Sequence, residues 1–201
     1  MSVVLALHSS SPALGVGLLD LSRPGEPPTV KVFDLGRGLS NALFDCIEQV
    51  LPAERWPELG RLAVATGPGG FTGTRLTVVF ARTLAQQLQL PLDGVSSFAL
   101  IAARQRIGEP TWLLQPLPRR GVVAGLYGPH SAAPAGVAEL QVPRLFASGE
   151  ALPAGAQLQA EVSLFDDVHQ LLACSADLAA RGAQAPWQTV LPIYPTSPVE
   201  C

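Results

Sequence analysis

Residues 61–100, RLAVATGPGGFTGTRLTVVFARTLAQQLQLPLDGVSSFAL, decide the fold of this chain. Within them, a short apolar run at 62–65 ends at a glycine-rich turn, 67–70, and a helical pattern begins near Thr72. Backbone N–H groups at the start of such a helix can bind an anion. The stretch therefore predicts a strand, a turn and a helix, and the turn is a candidate ligand site.

The flanking residues predict a mixed sheet with helices. Before the unit, strands at 3–7, 14–21 and 29–35 form a meander, because β-type or alternating apolar residues are separated by Ser, Pro and Gly turns. After it come a strand at 92–95 and a helix from Ser96 or Ser97 to about Ile107. With one more helix at 40–51, the order is β-β-β-α-β-α-β-α, which is typical of an α/β fold.

We expect Ser40 to cap the helix at 40–51, with its apolar residues on one inward face. That face contains Leu43, Phe44, Ile47, Val50 and Leu51.

The helix from about Thr72 to Gln89 carries two stripes at helical spacing. The stripe of larger residues is expected to face the core: Leu76, Val79, Phe80, Thr83, Leu84 and Leu88. The second stripe is mostly small and runs beside a polar edge: Thr74, Val78, Ala81 and Ala85, next to Arg75, Arg82, Gln86 and Gln89. Small residues suit close docking of another helix, so this stripe is a candidate partner surface; packing within the same molecule is the alternative.

The boundary between two lobes is expected at 108–110. It divides the chain into an N-terminal lobe, 1–107, and a smaller C-terminal lobe, 108–201. The tail of the C-terminal lobe is a candidate to return to the N-terminal lobe. Strands are predicted at 112–117 and 122–127. Residues 128–155, rich in Pro, Ala and Gly, predict loops around short strands. A helix at 165–181, with Asp166 and Asp167 favouring its N-terminus, and an extended segment at 187–194 complete the chain.

Composition narrows the function classes. The 201 residues are 48% hydrophobic and 14% charged, which argues against disorder. No apolar run approaches the roughly 20 residues that cross a bilayer, and the N-terminus lacks the basic region of a secretory signal. A cytoplasmic protein that does not enter the membrane is expected. The net charge of −3 and the absence of a Lys/Arg cluster argue against strong, direct nucleic-acid binding.

No motif predicts a metal site, a cofactor or catalytic residues. The three cysteines, Cys46, Cys174 and Cys201, are far apart, and the three histidines are isolated. The glycine-rich loop does not fit the Walker or Rossmann patterns, although Asp93 lies where a ribose-binding acid would be sought. Two interpretations of the loop stay open, an anion site and a tightly packed turn; its residues are Gly67, Gly69, Gly70, Thr72 and Gly73. His8 is expected to be a structural histidine at the solvent edge.

Four segments resemble the TsaB (YeaZ) family, the partner of the tRNA threonylcarbamoyladenosine synthase TsaD. GPGGFTGTR at 67–75 resembles the family's GPGSFTGLR, and LPLDGVSSFAL at 90–100 resembles its IPLVGVSSLxAL. The opening, VLALHSSSPALGVGLLD at 4–20, is similar to ILAIDTSTxxxSVAL, and VLPIYPTSP at 190–198 is similar to the tail PxYLRxP. The central motif is the most specific of the four.

This resemblance implies two RNase H-like lobes of the actin/Hsp70/sugar-kinase ATPase superfamily, with the second lobe reduced. It also implies a non-catalytic subunit that docks on a TsaD-like enzyme and acts with a TsaE-like ATPase to modify adenosine 37 of tRNA, which it meets only through the complex. Docking would use the helices at 40–51 and 72–89. The expected interface is Asn41, Asp45, Glu48, Thr74, Arg75, Val78, Ala81, Arg82 and Ala85.

The chain departs from the family pattern where ancestral nucleotide chemistry would reside. His8 replaces the first-strand Asp, Leu39 replaces a His, residues 117–119 replace a DAR motif, and Pro195 replaces the Arg of the tail. These losses fit a scaffold. Two alternatives stay open: a stand-alone nucleotide-binding ATPase or phosphotransferase of the same superfamily, and a homodimeric binding module.

Overall fold

A five-stranded sheet forms the first half of the fold in the computed structural model, which describes residues 2–196. Its strands are β1 (Val3–His8), β2 (Ala13–Asp20), β3 (Thr29–Asp34), β4 (Leu59–Ala65) and β5 (Leu92–Val95), in the order β3-β2-β1-β4-β5. The meander β1–β3 is antiparallel, whereas β1, β4 and β5 run parallel. The predicted order of strands and helices up to residue 104 is confirmed.

Helices cover both faces of this first sheet, which is why β1 is buried along its whole length and is apolar at 3–7. On one face α1 (Leu39–Glu48) and α2 (Phe71–Leu88) pack over residues such as Leu5 and Leu7 of β1. On the other face α3 (Ser97–Arg104) and α4 (Leu164–Ala180) pack over Val4 and Ala6.

The second sheet has four strands in the order β8-β7-β6-β9. Its strands are β6 (Thr111–Leu117), β7 (Gly121–Pro129), β8 (Val137–Ala147) and β9 (Ala156–Gln159). The expectation of loops around short strands in 128–155 is wrong, because β8 is an 11-residue strand. Pro143 argued against a long strand in the sequence, but a proline is tolerated in β8 because β8 lies at the edge of the sheet.

The C-terminal segment returns to the first sheet. A Cβ built at Gly17 of β2 would lie 2.5 Å from Cγ1 of Val168 in α4, so glycine at this position lets the helix lie directly on the strand. Beyond α4, the Leu92 N–H donates to the Ala185 carbonyl at 2.9 Å, and Val190 is buried against the same sheet. Residues 164–196 therefore complete the core of the first half.

Two details of α1 differ from the sequence expectation. Gly38, not Ser40, occupies its N-cap position, and the Ser40 hydroxyl contacts Oδ1 of Asn41 at 3.5 Å inside the first turn. Phe44 was expected on the inward face but is 54% exposed.

Among residues 2–196, no helix is long and apolar enough to cross a membrane.

Candidate functional site

Four residues of the expected partner interface are buried inside this chain. Thr74, Val78, Ala81 and Ala85 of α2 are at most 2% exposed. Their stripe faces the first sheet, so the expectation that its small side chains form a partner surface is wrong. The expected core stripe is confirmed only for Leu84, which is buried; Val79 is 50% exposed and Leu88 38% exposed, so these two positions are wrong.

The small side chains let α2 lie close to the sheet. They pack with Leu62 and Val64 of β4, where larger residues would hold the helix further away. The hydroxyl of Thr77 on the same face bonds the Ser9 hydroxyl at 2.8 Å. Periodicity did not decide which face of α2 is buried, because the buried positions follow helical spacing as well as the expected ones do: 74, 77, 78, 81, 84 and 85.

The outward surface of α1 and α2 carries a contiguous aromatic and aliphatic group that sequence reasoning had placed inside. Phe44 lies edge-on against Phe80 with ring centroids 5.1 Å apart, and stacks with Trp56 at 6.2 Å. Val79 and the partly buried Leu76 follow along α2. We call Phe44, Leu76, Val79 and Phe80 the α1/α2 face.

The other five expected interface residues border this face. On α1, Asn41, Asp45 and Glu48 are exposed. On α2, Arg75 is exposed, and the Arg82 guanidinium lies 5.8 Å from the ring centre of Trp187 in the tail. The α1 side of the face is therefore acidic and the α2 side basic.

The glycine-rich loop packs tightly against the β1–β2 turn. The Gly70 N–H donates to the Ser10 carbonyl at 2.8 Å. A Cβ at Gly69 would lie 2.4 Å from Cβ of Ser10, and one at Gly73 would lie 2.8 Å from the Ser9 carbonyl oxygen. Gly69 and Gly73 are therefore required by close packing, which accounts for much of the motif without any ligand.

A cavity of about 570 Å³ opens beside this loop, between the two sheets. Gly70, Thr72 and Gly73 at the start of α2 line it, together with Arg37 and with Gln115 of β6. None of the described residues that line it is Asp or Glu. Carboxylates are the usual protein ligands of Mg²⁺ in phosphate sites, so the lining offers no such ligand.

His8 lies beneath the β1–β2 turn and is fully buried, so its expected position at the solvent edge is wrong. Its Nδ1 accepts a long hydrogen bond, 3.4 Å, from the Ser10 N–H, while Nε2 has no partner within residues 2–196. Desolvation by burial lowers the pKa of His8 from 6.5 to about 3. The side chain is therefore neutral and inaccessible, which suits neither metal binding nor proton transfer with a ligand in the cavity.

Two buried ion pairs belong to the scaffold. Asp93 accepts hydrogen bonds from Arg61 at 2.6 and 2.7 Å and from Ser175 at 2.6 Å, so this carboxylate is occupied by the chain itself. Asp167, at the start of α4 as expected, pairs with Arg104 of α3 at 2.8 Å.

Residues 2–196 contain no group of three or more His, Cys, Asp or Glu side chains able to hold a metal. Cys46 and Cys174 are free and buried. Cys201 lies outside the described residues, as do Ser197 and Pro198 at the end of the segment that resembles the family tail.

Sequence comparisons connect this architecture with tRNA modification proteins. A family model described as TsaD, tRNA N6-adenosine threonylcarbamoyltransferase, matches residues 36–118. The tRNA threonylcarbamoyladenosine biosynthesis protein TsaB of Bacillus subtilis is 33% identical over 129 residues, which are 62% of this chain. The matched segment spans about half, 54%, of that relative.

Solved structures confirm the fold class. A Pseudomonas aeruginosa protein with similarity to peptidase YEAZ superposes with a TM-score of 0.75 at 22% identity, covering 98% of this chain and all of that one. YeaZ from Pseudomonas aeruginosa gives 0.71 at 22% identity, covering 96% of this chain and all of that one. The chain therefore shares the mixed α/β fold with two sheets of these two proteins.

Proposed function

We propose that this chain is a TsaB (YeaZ)-like protein and that it is the non-catalytic assembly partner of a TsaD-like enzyme in the N6-threonylcarbamoyladenosine modification of tRNA. The observation that carries the proposal is the α1/α2 face. Within residues 2–196, Phe44 is 54% exposed and Val79 is 50% exposed, while Leu76 and Phe80 between them are partly buried. An apolar group with a charged border is typical of a protein interface.

The border specifies what the partner must present. Asp45 and Glu48 on one side and Arg75 on the other require a partner surface with basic and acidic groups in the opposite arrangement. A second copy of this chain, related by a two-fold axis, would also meet that requirement. The same face therefore supports a homodimer when the enzyme is absent.

The remaining parts of the proposal rest on charge and on the cavity. The lining of the cavity beside the glycine-rich loop has no carboxylate among its described residues, which favours a subunit over a stand-alone Mg-dependent phosphotransferase. The net charge of −3 favours contact with tRNA only through the complex. A TsaE-like ATPase is the proposed third component.

The decisive experiment mixes purified chain with the TsaD-like protein of the same host and measures the affinity by calorimetry. Val79→Arg places a charge at the centre of the face, and we expect it to weaken the complex by at least about tenfold. The matched control is Val142→Arg, because Val142 is 69% exposed on β8 of the second sheet. Equal affinities for the two variants would reject this surface, as would failure of the unmodified pair to associate.

One observation favours the alternative of a nucleotide-binding enzyme, namely the size of the cavity at the start of α2, about 570 Å³. Calorimetry of the isolated chain with Mg-ATP tests it. Micromolar binding that is lost in Arg37→Ala would favour this alternative over the assembly role.

A further inference from the structure

A second cavity, of about 480 Å³, lies where the end of β5, the second sheet and the C-terminal tail meet. It shares no described lining residue with the cavity beside the glycine-rich loop. We call it the tail cavity, because residues 184–193 form one of its walls. Much of its lining is aliphatic: Leu92, Val95, Val137, Leu178, Val190 and Ile193.

Glu139, a solvent-exposed residue of β8, lines this cavity and has its carboxylate held in place. The hydroxyl of Tyr127 donates to Oε2 of Glu139 at 2.8 Å, and the Ser96 hydroxyl therefore donates to the Tyr127 oxygen, 2.9 Å away. Tyr127 is fully buried, and its ring lies edge-on to Phe98 with centroids 6.2 Å apart. The Tyr127 hydroxyl thus fixes the orientation of the carboxylate from the protein side through Oε2.

Glu139 has no cationic side chain beside it among the described residues that line the cavity. Burial raises the pKa of Tyr127, so the phenol keeps its proton and remains a neutral donor to the carboxylate. The other acid at the cavity, Asp93, is neutralised by Arg61. The described lining residues include no Lys, Arg or His. An aliphatic cavity with one oriented carboxylate is thus present, and the assembly role assigns no task to it.

We propose that the tail cavity binds a small organic cation, an ammonium or guanidinium group on an aliphatic chain, with Glu139 as its counter-ion. The cavity volume lies within the range of about 300–1,000 Å³ found for small-molecule sites. A hydrogen bond between a cationic donor and a carboxylate is stronger than a neutral one, and Glu139, which is exposed to solvent, can accept it. The aliphatic walls accommodate the methylene groups of the ligand.

Calorimetry of the full chain with agmatine and n-butylammonium tests the proposal; n-butanol and butyrate serve as neutral and anionic probes of similar length. Saturable millimolar or tighter binding of both cations is expected, with n-butanol much weaker and butyrate inactive. Glu139→Gln should weaken cation binding at least tenfold. The control Glu109→Gln removes an equal charge from an exposed position before β6 and should leave the affinity unchanged.

Tyr127→Phe separates orientation from charge, since it keeps the buried ring and removes only the hydroxyl that holds Glu139. We expect a few-fold loss of affinity, smaller than that of Glu139→Gln, and amide NMR shifts upon agmatine addition confined to residues around 94–99, 137–139 and 184–193. Absence of saturable cation binding to the unmodified chain would overturn the proposal. So would equal losses in Glu139→Gln and Glu109→Gln, or equal binding of n-butanol. No partner protein takes part in these measurements, so their outcome is independent of the assembly role.

Discussion

Replacing His8 by asparagine should remove part of the acid sensitivity of this protein. Asparagine presents an acceptor close to the position of Nδ1, which receives the Ser10 N–H, but it does not titrate. In the folded protein the pKa of His8 is lowered from 6.5 to about 3 by desolvation, so the folded state excludes a proton that the unfolded chain binds. Stability is therefore lost as the pH falls from about 6.5 towards 3.

The magnitude follows from proton linkage. Because one pKa unit corresponds to about 1.4 kcal/mol, lowering the pH from 7.5 to 5 should cost about 2 kcal/mol of unfolding free energy through His8 alone. Urea denaturation of the wild type and of His8→Asn at both pH values isolates this contribution, since the other titrating groups cancel in the difference. His130→Asn is the matched control, because it makes the same substitution at a position exposed to solvent. Parallel pH profiles for the wild type and His8→Asn would refute the reasoning.

Two more stability predictions follow from α2 and its first turn. Ala81→Arg should lower the free energy of unfolding by about 3 kcal/mol or more, because it places a charge against the sheet. Val79→Arg, two residues away, is exposed and should leave the midpoint of urea denaturation nearly unchanged. Equal losses of stability in the two variants would contradict the observed burial of the Ala81 side of α2. Gly69→Ala should lower the free energy of unfolding by about 1–3 kcal/mol, since its Cβ would lie 2.4 Å from Cβ of Ser10. Gly108→Ala is the control, because the space around Gly108 is open. An unchanged free energy of unfolding for Gly69→Ala would show that the glycine-rich loop and the β1–β2 turn can move apart.

The sequence predicts most elements of the first sheet because their periodicity is strong and their boundaries carry turn residues. The strand at 92–95 and the helices near residues 40 and 72 are confirmed. The phase of α2 could not be predicted, since both of its stripes satisfy helical spacing. Hydrophobicity favours the larger residues for the core, but the distance between helix and sheet selects the small ones, and that distance is a tertiary property.

The same limit applies to β8 and to His8. A proline and several exposed polar residues conceal the 11-residue strand β8, because an edge strand needs neither a continuous ladder nor two apolar faces. The burial of His8 follows from the packing of the turn above it and of helices that come later in the chain. Of the candidate site, the helices and the charged border could be read from the sequence, whereas the exposed aromatic centre could not.

The close approach of α4 to β2 has a consequence for biosynthesis. When β1–β5 and the first three helices have left the ribosome, one face of the first sheet still lacks α4, its principal cover. That face stays open until residues 164–180 have been synthesised, about 70 residues after β5. The nascent chain is therefore most exposed to aggregation in this interval, and a version cut after residue 107 would retain that exposure permanently.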